Sequence, residues 1–492
     1  MLQKLKKEAN LSLTENGALT YASTMDHCLD LFATAGGLRN ASDDEIVKRF
    51  IRAYAENPDI AMKILFYARD VRAGLGERKF FRVVLKSLCI KHPDSVIKNL
   101  EWIAEYGRYD DFLILMDTPC EKDAIAFLKE QLIWDINCLV DNESNISLLA
   151  KWLPSVNTSN KEKVRLGRKL ARAFEMSEKK YRQTLSALRK KIDIIENYLR
   201  EADYSFDYAK QPGKAMLKYR NAFITHDAER YSEFIDKVNK NETVMHTGTL
   251  MPYEIIRPFY TGWERLDADL PKEEVKSLEA TWYAQEDFAG DQNALVVIDG
   301  SGSMYGGGNP MPVTVAQSLG LYFAEKNKGA FANHFITFSS RPQLVEVKEK
   351  DLLTKLQHIS AYDEVADTNI QAVFELILRT AVKNNISQSD MPERIFIISD
   401  MEFNYCSINA DMTNFEYAKS LFEAAGYTLP KVIFWNVASR VQQLPVTKNE
   451  QGVTLVSGCN ARLFRQVLSD DVNPLSFMME IVGSARYEKI VA

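Results

Sequence analysis

Cysteine is scarce in this 492-residue chain and is not organised. Its six cysteines (Cys28, Cys89, Cys120, Cys138, Cys406 and Cys459) form no C-x-x-C pair and no zinc-like spacing. That excludes a dense disulfide scaffold and leaves buried thiols in a reducing compartment as the natural expectation. No stretch approaches the roughly 20 apolar residues of a membrane-spanning helix. The opening MLQKLKKEANLSLTENG lacks the apolar centre of a signal peptide, so a soluble, cytoplasmic protein without a membrane partner is expected. A basic excess is missing too: 61 Lys and Arg face 67 Asp and Glu, a net charge of −6. A coat of positive charge for nucleic acid is excluded, but a local patch is not. Catalytic signatures are equally thin. The Gly306-Gly307-Gly308 run lacks the Lys-Ser/Thr of a P-loop, and no nucleophile elbow or catalytic triad is legible. At 46 % hydrophobic and 26 % charged residues, the composition is globular and wholesale disorder is excluded.

What is present falls into two grammars. From about residue 44 to 240, one apolar stripe at helical spacing follows another, beginning with Ile46, Val47, Phe50, Ile51 and Tyr54. The breaks carry turn residues such as Asn57-Pro58, Gly74, Gly76 and His92-Pro93. Helices of about 12–18 residues joined by short turns suggest a HEAT-like helical array over residues 1–285. From about residue 291, short continuous apolar runs alternate with amphipathic helices. Strands are expected at 294–298, 334–338, 394–399, 432–437 and 453–457, and helices at 313–325, 370–382, 415–425 and 461–468. Such runs are buried on both faces, so residues 291–492 read as a doubly wound, Rossmann-like α/β domain. The fold class is therefore α plus α/β, with ligands expected at the carboxyl ends of the strands.

The first of those strand ends carries Asp299-Gly300-Ser301-Gly302-Ser303. This D-x-S-x-S offers one carboxylate and two hydroxyls from a tight turn, hard oxygen donors of the kind Mg²⁺ accepts. Thr368, opening the next helix, and Asp400, ending the strand at 394–399, converge on the same edge. In order and context, Asp299, Ser301, Ser303, Thr368 and Asp400 resemble the metal-ion-dependent adhesion site of von Willebrand factor A domains. Two positions depart from that pattern: Asp367 stands where a Gly often precedes the Thr, and Met401 stands where a Gly usually follows the Asp. The resemblance implies binding rather than turnover, with Mg²⁺ or another divalent cation keeping a position open for a protein partner's carboxylate. His334 and His358 lie away from the strand-end loops, so no general base is evident.

A helical array before such a domain resembles the TROVE architecture of Ro-like proteins. The helical segments that carry the resemblance are 66–78 (FYARDVRAGLGER), 106–111 (YGRYDD), 151–154 (KWLP) and 251–256 (MPYEII). It implies a ring or arc that binds misfolded, noncoding or single-stranded RNA without catalysis, within a monomer. The charge distribution points the same way. Residues 161–191 hold twelve cations (Lys161, Lys163, Arg165, Arg168, Lys169, Arg172, Lys179, Lys180, Arg182, Arg189, Lys190 and Lys191) against Glu162, Glu175 and Glu178. That net of +9 sits in an acidic background and has the form of a phosphate footprint. Arg69, Arg72, Arg78, Lys79 and Arg82 form a second set around Gly74 and Gly76, with an inter-helix salt-bridge corner as the competing explanation. Tyr109 and Trp152 are the candidates for base stacking, against ordinary helix packing. Two other readings remain open on sequence alone: a protein-interaction scaffold without RNA, and a metal-dependent nuclease.

Overall fold

The computed structural model describes the whole chain except residues 142, 144, 263–264, 267–268, 364–367, 406–411 and 469–472, and the side chains of residues 3 and 4. Asp367 and Cys406 therefore lie outside the described residues. The architecture is helix-rich α plus α/β, with a six-stranded sheet in the second half.

Several of the helices have a local reason to start where they do. Ser42 accepts from the backbone of Glu45 to open Asp43–Glu56. Asn57 does the same for Ile60 at Pro58–Arg69, with Pro58 in the first turn. Ile46 and Phe50 are fully buried, as their stripe requires. The helices of the first half differ in length, from the four-residue Leu149–Trp152 to the 20-residue Glu121–Val140.

The sheet is built from β3 (Ala294–Ile298), β4 (His334–Thr337), β5 (Leu344–Glu346), β6 (Arg394–Ser399), β7 (Lys431–Asn436) and β8 (Val453–Ser457); β1 (Leu11–Leu13) and β2 (Leu19–Tyr21) form a separate hairpin. The strand order is β5-β4-β3-β6-β7-β8, and every pairing is parallel except β4 with β5. Every residue of β3, β6 and β8 is buried, which is why they read as unbroken apolar runs. The chain leaves β3 toward β4 and returns on its other side as β6, so the sheet's switch point lies between the ends of β3 and β6.

The change of grammar near residues 285–291 is not a break in packing. Ala18 and Ala33 join the apolar cluster beneath β3, β6 and β7. Gly36 donates to Ser457 Oγ at 2.9 Å, and a Cβ there would lie 2.5 Å from the Ser457 backbone, so only glycine permits this approach to β8. At the other terminus, Arg486 ion-pairs with buried Asp70, and Tyr487 OH donates to the same carboxylate at 2.9 Å. One hydrophobic cluster runs through both halves, from Cys28 to Ile490.

Candidate functional site

The switch point is where the oxygen donors meet. Val297 and Ile298 pair in register with Ile397 and Ile398, so the residues that follow each strand emerge side by side. Asp299 and Asp400 are both buried, at 0 % and 2 % exposure. Asp299 Oδ1 accepts from the Ser301 backbone at 2.9 Å, Asp299 Oδ2 accepts from Ser399 Oγ at 2.5 Å, and Ser301 Oγ lies 3.1 Å from Ser303 Oγ. Ser303 also bonds the Asp400 side chain. Thr368 is buried, and its carbonyl accepts from Asn404 at 2.9 Å, which ties it to the segment after Asp400.

Burial, and then the neighbouring charge of Asp400, push the Asp299 carboxyl up to about 7. Burial likewise raises Asp400, against the opposing pull of Arg440. Two desolvated carboxylates beside the Ser301 and Ser303 hydroxyls, with Thr368 tied to the segment after Asp400, form a cluster whose excess negative charge a divalent cation would relieve. The donor set therefore fits Mg²⁺, and Asp299, Ser301, Ser303, Thr368 and Asp400 are the residues that could hold it.

Several neighbours of this cluster carry no sequence signal. Asp363 receives Tyr305 OH at 2.6 Å and Gln317 Nε2 at 2.7 Å, and burial pushes its carboxyl up to about 7. It packs against the motif's own turn: a Cβ on Gly300 would lie 2.3 Å from Asp363 Oδ1. Met401, where the von Willebrand pattern has Gly, sits at φ +68°. The left-handed backbone that normally selects glycine is thus kept, and Met401 pays its strain while its side chain stays buried at 4 % exposure. Arg440, following β7, reaches Asp400 Oδ2 at 2.9 Å. Glu15 and Asn16 arrive from the β1–β2 hairpin, Asn16 Nδ2 bonding Thr368 Oγ1 at 3.3 Å. His334 and His358 are engaged elsewhere, with the Ala332 carbonyl and with Glu349 respectively.

The basic segment forms two helices, Lys161–Ala173 and Glu178–Lys191, capped by Asn160 and Ser177. Lys161, Arg165, Arg168, Lys169 and Arg172 line one surface groove with Thr158 and Ser159. Part of this charge is neutralised. Arg165 pairs with Asp117 and Glu162, Arg168 with Glu178, and Lys169 with Asp117 and Glu121. Lys161, Lys163, Arg172, Lys179, Lys180, Arg182 and Lys190 are exposed and make no ion pair among the described residues; Lys191 is exposed as well. Arg189 departs from the expected surface set. It turns inward to donate to the carbonyls of Ala150 and Leu153, both at 2.7 Å, and to Ser155 Oγ at 2.8 Å.

The second basic set is largely a salt-bridge corner. Arg69 is 2 % exposed and pairs with buried Asp111 at 2.8 Å, so it is not presented to a nucleic acid. Arg82 bridges Asp110 and Asp111, Arg78 pairs with Asp110, Arg72 with Glu105, and Lys79 with Asp43. Asp70 and Glu77 take partners from far along the chain, Arg486 and Arg39. The aromatic candidates are packed: Arg108 stacks on Trp152 at 4.2 Å, and Tyr109 stacks with Phe112.

Residues 293–481 match a family described as a domain of unknown function (DUF7788), and residues 14–122 and 168–285 match a second such family (DUF2828). Uncharacterized protein L728 of Acanthamoeba polyphaga mimivirus is 28 % identical over 516 residues, covering 96 % of this chain and 87 % of that protein. Among solved structures, the Ro (RSR) protein of Deinococcus radiodurans aligns over 94 % of this chain and 100 % of its own, at 10 % identity and a TM-score of 0.38. No helix among the described residues is long and apolar enough to cross a membrane.

Proposed function

We propose that the chain is a non-catalytic RNA-binding protein of the cytoplasm that acts as a monomer. Its helical half, a HEAT-like ring or arc, holds noncoding or misfolded RNA. Its α/β half resembles a von Willebrand factor A domain and binds Mg²⁺ for partner recruitment. The observation that carries the RNA reading is the set of exposed cations Lys161, Lys163, Arg172, Lys179, Lys180, Arg182 and Lys190, which make no ion pair among the described residues, on an otherwise acidic protein; Lys161 and Arg172 line the groove. Phosphates binding there displace counterions, so affinity falls steeply with salt. Binding rather than turnover is the reading adopted, since no histidine or lysine among the described residues bonds Asp299, Ser301, Ser303, Thr368 or Asp400.

The test is affinity for a single-stranded RNA oligonucleotide across a salt series. Charge reversal at Lys163, Arg172, Lys179 and Arg182 is expected to weaken binding more than tenfold and flatten the salt slope, while Asp299→Ala leaves both unchanged. RNA binding indifferent to salt and to the reversals overturns the assignment. A protein-interaction scaffold is the second reading, favoured by the charges that Arg165, Arg168 and Lys169 already direct to Asp117, Glu121, Glu162 and Glu178.

A further inference from the structure

We infer that the carboxylate which completes the coordination of the ion is carried by this chain itself: Glu15, at the tip of the β1–β2 hairpin, closes the strand-end site in cis. The inference rests on the Mg²⁺ reading above and goes beyond it by naming the occupant of the open position.

Four consecutive residues fasten the tip to the segment that follows Asp400. Thr14 Oγ1 donates to the Phe403 carbonyl at 2.6 Å, and the Glu15 backbone donates to Glu402 Oε2 at 2.7 Å. Asn16 Nδ2 donates to the Glu402 carbonyl at 2.6 Å and to Thr368 Oγ1, one of the five donors, at 3.3 Å. Gly17 makes a backbone bridge to Asn404. The tip is also closed on itself: the backbones of Thr14 and Gly17 donate to the Ala18 and Thr14 carbonyls, both at 2.9 Å, and Gly17 takes φ +81° in open space. The backbone of Glu15 is thus positioned at the rim of the site, with its side chain half-exposed.

The decisive contact is a shared cation. A single nitrogen of Arg440, Nη2, lies 2.9 Å from Asp400 Oδ2 and 3.0 Å from Glu15 Oε2. One positive centre therefore bridges the buried donor and the hairpin carboxylate, which is the bridging a metal ion bound to Asp400 would make. Arg440 is exposed enough to leave, so guanidinium and divalent cation compete for the same pair of carboxylates. A tethered carboxylate acts at an effective concentration in the millimolar range, which a partner's free carboxylate must exceed to enter. The hairpin is then the gate of the docking site, and release of residues 11–21 is what exposes the ion.

The experiment is hydrogen exchange of residues 11–21 on the full chain with and without Mg²⁺, with thermal shift recorded in parallel, for the parent, Glu15→Gln and Asp299→Ala. Mg²⁺ is expected to slow exchange in the hairpin of the parent several-fold. Glu15→Gln loses that protection but keeps a reduced Mg²⁺ thermal shift, and added acetate raises its Mg²⁺ affinity while leaving the parent's unchanged. Asp299→Ala loses both responses. Hairpin protection by Mg²⁺ that is equal in Glu15→Gln and the parent overturns the closure in cis and leaves the Mg²⁺ reading standing. A full thermal shift in Asp299→Ala overturns the Mg²⁺ reading itself.

Discussion

The strand-end cluster and the basic segment place charge in opposite ways. At the switch point two carboxylates are buried, and one of them, Asp400, pairs with the guanidinium of Arg440. Along residues 161–191 twelve cations are spread over two helix surfaces, most of them exposed. In the first region, desolvation makes each charge matter and one substitution decides the outcome. In the second, each charge is screened and contributes little alone, so only their sum acts. The Arg69 set shows the boundary between these regimes: Arg69 and Arg78 are nine residues apart, yet one is sealed against Asp111 and the other is half-exposed beside Asp110.

The contrast can be broken at several points. Arg69→Ala is expected to have the largest effect on stability, about 3–5 kcal/mol, because it strips a partner from buried Asp111. Lys163→Ala, equally a loss of one cation, is expected to change stability by less than about 0.5 kcal/mol. Urea melts of the two variants check this, and equal losses would erase the distinction between buried and exposed cations. At the strand-end cluster proposed to hold Mg²⁺, Asp299→Ala or Asp400→Ala is expected to abolish any thermal shift that Mg²⁺ produces in the parent. A subtler effect concerns Asp363, whose carboxyl is raised by burial from the usual 3.8 to about 7. Between those values the folded chain holds a proton that the unfolded chain has lost, so this group's contribution to stability falls as pH rises from about 4 to about 7. Asp363→Asn, which keeps the side chain neutral, is expected to melt higher than the parent at pH 8 and to match it near pH 4. A difference that is constant with pH would contradict this.

Much of the architecture was legible because β3, β6 and β8 are buried on both faces and had to be apolar throughout. The edge strand β5 was not, since only Val345 of its three residues is buried and its pairing is antiparallel. The β1–β2 hairpin was missed for a related reason: its three-residue strands acquire their meaning from the distant segments they bridge to, at Asn404 and Leu444. Asp299, Ser301 and Ser303 could be read because their spacing within one turn is itself the chemistry. Glu15, Asn16, Asp363 and Arg440 could not, since only the fold brings them together. Arg189 was a readable exception. It lies four residues after Leu185 on the same helix, next to the buried stripe of Tyr181, Leu185 and Leu188, so a count of charges mistook a structural arginine for a surface one. Met401 teaches the reverse: its left-handed backbone at φ +68° is a conformation that a methionine in the sequence does not announce.

The most direct test of RNA binding through the basic segment is photo-crosslinking of the full chain to single-stranded RNA, with the attached peptides identified by mass spectrometry. Crosslinks concentrated between residues 158 and 191, and lost on charge reversal at Lys163, Arg172, Lys179 and Arg182, are the expected result. Crosslinks confined to other parts of the chain, or undiminished by the reversal, would contradict it.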